Sequence, residues 1–308
     1  MRRLLIGLDD TPQGDDALVL GGLLSEVLAA KPVVLSALPY PRHLVGAMDA
    51  HGLQGALEQD TAERFDHARR LLAPLEPEKR AVASQAPARA LYETAADEDA
   101  LMVVVGSDHR GAVGRVLPGS VGRSLLHGAP CAVVVAPRGY AGAGEHRLVR
   151  IGVAFDGSPE SWTALETGIA LTARLHGSVL LVTAAMPPQY GYGSLALLSE
   201  GALQNAEQRS KQRTLRMAAE RIPAGMQAET RLLNGDPARV IAEVTDELDL
   251  LLMGSRGYGP LRRTLLGSVA AGVIGRAACP VVVLPRAAGS DPLRIKGAPD
   301  EAAHATAG

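Results

Sequence analysis

Four blocks of this sequence occur twice, in the same order and at a nearly constant spacing. Leu5-Ile6-Gly7-Leu8-Asp9-Asp10-Thr11-Pro12 returns as Gly152-Val153-Ala154-Phe155-Asp156-Gly157-Ser158-Pro159. Val103-Val104-Val105-Gly106-Ser107 returns as Leu251-Leu252-Met253-Gly254-Ser255, and Leu117-Pro118-Gly119-Ser120-Val121 as Leu265-Leu266-Gly267-Ser268-Val269. The fourth block, Cys131-Ala132-Val133-Val134-Val135-Ala136-Pro137-Arg138, returns as Cys279-Pro280-Val281-Val282-Val283-Leu284-Pro285-Arg286. The offset is 147 residues from Asp9 to Asp156 and 148 from Gly106 to Gly254, Gly119 to Gly267 and Cys131 to Cys279. A period of about one domain marks a duplication and not a solenoid of short repeats. The chain therefore divides into a first domain at 1–138, a linker at 139–147, a second domain at 148–286 and a tail at 287–308, read as disordered from its Gly, Ala, Pro and charge.

Each half carries the same run of elements. A short apolar strand (Arg3–Leu8; Val149–Phe155) leads into a helix with Thr11 or Ser158 at its cap and Pro at the next position, the arrangement helix starts favour. A second apolar strand follows (Pro32–Leu38; Ser178–Ala185), then a variable loop and a charged helix (Leu57–Leu75; Glu200–Ile222). A third strand precedes Pro87 or Pro237 and a short helix. The fourth strand (Leu101–Val105; Leu250–Met253) opens a glycine loop and a helix, and the fifth (Ala132–Ala136; Val281–Leu284) ends the half. Short, continuously apolar strands alternating with helices indicate a buried parallel sheet. The expectation is two tandem doubly wound α/β domains, flavodoxin- or Rossmann-like, each a five-stranded parallel sheet of order 3-2-1-4-5 with helices on both faces. Since 47% of the residues are hydrophobic but only 3% aromatic, the cores must be built from Val, Leu, Ile and Ala.

The glycine loop of the second half reads Gly254-Ser255-Arg256-Gly257, then nine residues, then Gly267-Ser268. Glycine lets a backbone approach an anion closely, and a helix start offers N–H groups and the positive end of a dipole. Arg256, Arg262 and Arg263 could meet phosphate charge. The spacing Gly-x2-Gly-x9-Gly-Ser after an apolar strand resembles the ATP-binding signature of the universal stress protein family, and the resemblance covers nearly the whole chain, twice. It implies ATP, with or without Mg2+, held in the second half by Asp156, Gly157, Ala184, Met253, Gly254, Arg256, Gly257, Gly267, Ser268 and Val269. The first-half counterparts are Asp9, Ala37, Val105, Gly106, Gly119, Ser120 and Val121. In the first half His109 stands where Gly257 does, and Pro118 replaces Leu266. Either a side chain there blocks the phosphate, or Gly111 supplies flexibility and His109 or Arg110 a donor.

Plainer roles compete with these. Asp9 and Asp156 could cap the following helices, and Ser120 and Ser268 could cap theirs. Cys131 and Cys279 suit small buried positions, Trp162 a core position, and the charged helix a solvated face. The segment Met186–Leu198 could cover a nucleotide or be a surface excursion.

Other chemistries are disfavoured. The formal charge is −2, which argues against a general nucleic-acid binder. Two cysteines without Cys-x-x-Cys or clustered His give neither a zinc site nor a disulfide framework. The apolar start, Leu4-Leu5-Ile6-Gly7-Leu8, is too short for a signal peptide, and no apolar run is long enough for a membrane span. A soluble cytoplasmic protein is the default. There is no Gly-x4-Gly-Lys-Ser/Thr motif, no Rossmann fingerprint after the first strand of either half and no Gly-x-Ser-x-Gly elbow. Three readings stand: an ATP-binding stress-response module, a slow ATPase or adenylating enzyme of related fold, and a non-nucleotide interaction protein with structural loops. The repeat also predicts an intramolecular pseudo-dimer through the final strands, which would cover an exposed edge. Whether the whole chain pairs again as a homodimer is not set by the residues.

Overall fold

The computed structural model describes residues 2–38, 50–186, 197–255, 266–285 and 293, with the side chains of 50–58, 60 and 197–205 left out. The strands are β1 Arg3–Leu8, β2 Lys31–Leu38, β3 Glu78–Ala83, β4 Met102–Val105, β5 Ala132–Val135, β6 Arg150–Ala154, β7 Ser178–Ala185, β8 Gln227–Asn234, β9 Leu250–Gly254 and β10 Val281–Leu284. The helices are α1 Pro12–Leu28, α2 Ala50–Leu72, α3 Pro87–Asp97, α4 Ser120–Leu126, α5 Pro159–Leu175, α6 Leu197–Ala219, α7 Pro237–Val244 and α8 Ser268–Ile274. The strands form one ten-stranded sheet of order β3-β2-β1-β4-β5-β10-β9-β6-β7-β8. Within each half the order is 3-2-1-4-5 and every pairing is parallel.

The halves meet at β5 and β10, which pair antiparallel with Val133, Val134 and Val135 opposite Val283, Val282 and Val281. Paired this way, neither valine strand presents an open ladder of N–H and C=O groups. The core runs through the seam. On one face Leu4, Ile6, Val134, Val153 and Val282 pack with α1, α2, α5 and α6; on the other Leu5, Val133, Val135, Val281 and Val283 pack with α3, α4, α7 and α8. This split follows from the period of two along a strand.

The first helix of each half approaches its strand through a glycine. A Cβ on Gly21 would sit 2.5 Å from Ile6 Cδ1, and one on Gly168 2.5 Å from Val153 Cγ2. At these matched positions the helix backbone lies directly on the strand's branched side chain. The sheet's outer strands are treated differently. Arg3 and Arg80 pair with Glu78 and Glu98 beside β3, and Arg150 and Arg231 pair with Glu229 and Glu247 beside β8. Charges along an edge oppose pairing with another strand.

The segment 139–147 differs from a free tether. A 3₁₀ turn at Tyr140–Gly142 is held by Asp16 of α1, whose carboxylate accepts 2.8 Å hydrogen bonds from Gly139 N–H and Ala141 N–H. Tyr140 stacks on His146 with ring centroids 3.9 Å apart. Asp16 is buried, and that burial pushes its carboxyl above the usual value against the pull of the two N–H donors. In the tail Leu293 is buried in the core; the rest of 286–308 lies outside the described residues.

Candidate functional site

In each half the first strand lies between the second and fourth, so the chain leaves it in one direction and the fourth strand in the other. Ligands of doubly wound sheets sit at such switch points, beyond the carboxyl ends of the strands. In the second half the parallel strands β6, β7 and β9 bring Asp156, Ala184, Met253 and Gly254 to that edge. Ala184 and Met253 are buried.

The turn after β6 is tightly specified. Asp156 Oδ1 accepts from Ser158 N–H at 2.9 Å, and Gly157, at φ +89°, donates its N–H to Ser161 Oγ at 3.1 Å. That φ lies in the left-handed region that glycine enters without penalty. Ser158 caps α5 by accepting from Ser161 N–H at 3.2 Å. In the first half Thr11 caps α1, and its hydroxyl donates to Asp9 Oδ1 at 2.5 Å. Both aspartates thus support a cap without being one.

After β9, Ser255 N–H donates to Leu284 O at 2.9 Å, and Gly267 N–H to Ser255 O at 2.7 Å. This fixes the two ends of the glycine loop together beside β10. Gly267 is the N-cap of α8, at φ −71° and ψ 152°, and makes no side-chain cap bond. Gly119 does the same for α4. The expectation that Ser268 and Ser120 cap these helices is therefore corrected: each is the first helical residue, because the extended backbone falls on the preceding glycine. Helices α1, α5 and α7 have a side chain over their first N–H groups; α8 does not, and neither do α3 and α4. The first-turn donors of α8 need another partner. Ser268 and Val269 are exposed there. Arg256, Gly257, Arg262 and Arg263 lie outside the described residues, as does most of the segment Met186–Leu198.

The first-half loop is described throughout, and many of its backbone donors are already used. Asp108 N–H donates to Leu117 O at 2.5 Å, Gly111 N–H to Asp108 O at 3.1 Å and Gly114 N–H to Arg138 O at 2.8 Å. Arg110 N–H donates to Asp108 Oδ1 at 2.9 Å and Leu117 N–H to Ser107 Oγ at 3.2 Å. The buried Ser107 hydroxyl in turn donates to Ala136 O at 2.6 Å. Asp108 was not singled out from sequence, yet it organises the loop. The Arg110 N–H, helped by His109 and Arg110 charge, holds its carboxyl below the usual value. His109 Nδ1 lies 3.3 Å and Arg110 Nε 3.9 Å from Asp108 Oδ1, so both side chains offered above as phosphate donors turn to this carboxylate. The signal was legible in hindsight: position 108 aligns with Arg256, an opposite charge. Val105 is buried, and Gly106, Gly119 and Val121 are partly buried. A Cβ on Gly106 would fall 2.7 Å from the Gln13 carbonyl carbon, with the carbonyl oxygen closer still. The turn after β4 is thus pressed against the start of α1.

The buried Trp162 expected from sequence is half-buried, edge-on to Phe155 at 4.9 Å with Arg221 over its ring. Cys131 and Cys279 are buried and free. Among the described residues no cluster of three or more His, Cys, Asp or Glu could hold a metal ion, and no helix is long and apolar enough to cross a membrane.

Comparison with known proteins agrees with the duplication. The model of the universal stress protein family matches twice, over residues 1–137 and 149–285. A universal stress protein of Mycobacterium tuberculosis (strain ATCC 25618 / H37Rv) is 33% identical over 187 residues, 60% of this chain and 62% of that protein. One from Mycolicibacterium smegmatis is 34% identical over 206 residues, 66% of this chain and 67% of its own length. A Thermus aquaticus universal stress protein is 33% identical over 134 residues, covering 43% of this chain and 95% of that protein. The match to the mycobacterial protein thus spans less than two thirds of its length. The fold is shared with a universal stress protein structure from Archaeoglobus fulgidus DSM 4304, with a TM-score of 0.60, 20% identity and coverage of 92% of this chain and 96% of that one. A functionally unknown protein from Pseudomonas aeruginosa PAO1 gives a TM-score of 0.61 at 16% identity, covering 96% of each chain.

Proposed function

The chain belongs to the universal stress protein family, and from that premise we propose that it is an ATP-binding regulatory module of the stress response whose nucleotide site lies in the second half. The observation that carries this reading is the uncapped start of α8 at Gly267, tied by Gly267 N–H to Ser255 O at the carboxyl edge that also holds Asp156, Ala184, Met253 and Gly254. Backbone donors with no side-chain cap, at a switch point, suit a phosphate. Gly157, Ser268 and Val269 border the same edge. Arg256 and Gly257 belong to this loop in the sequence and add a cation and a second glycine.

The roles divide by chemistry. The α8 N–H groups and the Ser268 hydroxyl meet phosphate oxygens, Asp156 meets the sugar, and buried Ala184 and Met253 give the base an apolar wall. The reading is binding and not turnover, because among the described residues no general base or nucleophile is held beside Gly267. A Mg2+ ion would be brought by the nucleotide. The module acts in the cytoplasm, with ATP state altering its contacts with a protein partner.

Titration calorimetry of the full chain with ATP tests this. Saturable binding is expected, and Gly267→Arg, which puts a side chain at the phosphate end, should abolish it while leaving the melting temperature nearly unchanged. An absence of heat with wild-type protein at high concentration would overturn the reading.

A further inference from the structure

The two glycine loops descend from one sequence, but the first is built into the contact between the halves. Val116 N–H, near the end of that loop, donates to Ala277 O of the second half at 2.8 Å. Beside it Arg115 Nη1 lies 2.9 Å from Asp246 Oδ1, also of the second half. Ala277 follows α8, and the next residue, Ala278, donates its N–H to Thr245 Oγ1 at 2.8 Å, next to Asp246. The first loop therefore grips the two turns that anchor the end of α8. On its own side it is locked to Arg138, which accepts from Gly114 N–H and donates from Nη1 to Gly111 O at 2.6 Å.

The start of α4 at Gly119 is as uncapped as that of α8, so what sets the halves apart is the loop before it, which these bonds leave poorly suited to an anion. A phosphate loop works by offering free amides, and here those of Asp108, Gly111, Gly114, Val116 and Leu117 are committed to protein acceptors. The Asp108 carboxylate adds a like charge: Oδ2 lies 3.8 Å from where a Cβ on Gly119 would be, over the start of α4. At the aligned position the second half has Arg256.

We infer that the first-half loop, Gly106–Gly119, is an interdomain brace and not a second nucleotide site, so that one chain takes one ATP. The stoichiometry rests on the proposed function above; the brace does not. Its two parts are tested separately on the full chain. Calorimetry with ATP should give one site per chain, lost in Gly267→Arg. Two sites per chain, or one site surviving in Gly267→Arg, would overturn the inference while leaving ATP binding intact. Hydrogen exchange without nucleotide should show the Val116 amide protected. Arg115→Glu, which sets two carboxylates face to face, should raise its exchange rate several-fold, and adding Asp246→Arg should bring protection back. A fast-exchanging Val116 in the wild type, or no response to Arg115→Glu, would refute the brace whether or not ATP binds.

Discussion

Replacing Gly106 by alanine places a methyl group against the backbone of α1. The new Cβ would lie 2.7 Å from the Gln13 carbonyl carbon and 3.0 Å from Gln13 Cβ, with the carbonyl oxygen nearer, whereas ordinary contact begins at 3.4 Å. The end of β4 and the first turn of α1 must therefore separate by on the order of 1 Å, which is overpacking against a rigid partner and costs about 3 kcal/mol, the top of its usual range. A glycine-to-alanine change gains roughly 0.4–1 kcal/mol by restricting the unfolded chain. The first term wins, for a net loss of about 2 kcal/mol. With roughly 2–4 °C of melting temperature per kcal/mol in domains of about this size, the midpoint should fall by about 4–8 °C. Gly128→Ala is the matched control, because a Cβ there meets nothing within 4 Å; it should melt at or slightly above the wild-type temperature. Circular dichroism melts of the three proteins decide the matter. If Gly106→Ala and Gly128→Ala melted within about 1 °C of each other, the close approach of β4 to α1 would not exist as described.

Two further outcomes follow from the placement of charge and thiols. Burial pushes the Cys131 thiol up to about 12 and the Cys279 thiol higher still, and only a thiolate attacks an alkylating agent. Iodoacetamide at about pH 8 should leave both unlabelled in native protein and label both in urea; rapid native labelling of either would refute their burial. Arg231 donates to Glu229 and Glu247 and holds both carboxyls below their usual 4.5. A folded-state value lower than the unfolded one gives stability that is present above pH 4.5 and is lost as pH falls through the lowered values. Both carboxylates are largely exposed, so the effect is modest. Urea midpoints from about pH 6 to about pH 3 should show wild type losing its lead over Glu229→Gln/Glu247→Gln, and parallel curves would show that this network does not favour the folded state.

The residues alone determined the local pieces. Short β-branched runs such as Val103-Val104-Val105 and Val281-Val282-Val283 read as buried strands, Thr11-Pro12 and Ser158-Pro159 start helices, and the repeat requires that whatever one half folds into, the other resembles. Those signals are short-range, set by side-chain period, branching and cap chemistry, so they survive without knowing the neighbours. The strand order also sets a switch point, while Asp156, Ala184 and Gly254 were singled out there by the family resemblance. What only the tertiary structure decided depends on groups far apart in sequence. Gly106 is obligatory because Gln13 lies against it, Asp16 holds the 139–147 segment because α1 passes beside it, and the caps fall on Gly119 and Gly267 because of backbone angles no residue type announces. The clearest case is the first glycine loop. As a sequence it is an imperfect copy of the second, with His109 the visible fault. In the fold, antiparallel pairing of β5 with β10 carries Arg115 and Val116 onto Asp246 and Ala277, more than 100 residues away, while the amides of Asp108, Gly111, Gly114 and Leu117 are spent on acceptors within the first half.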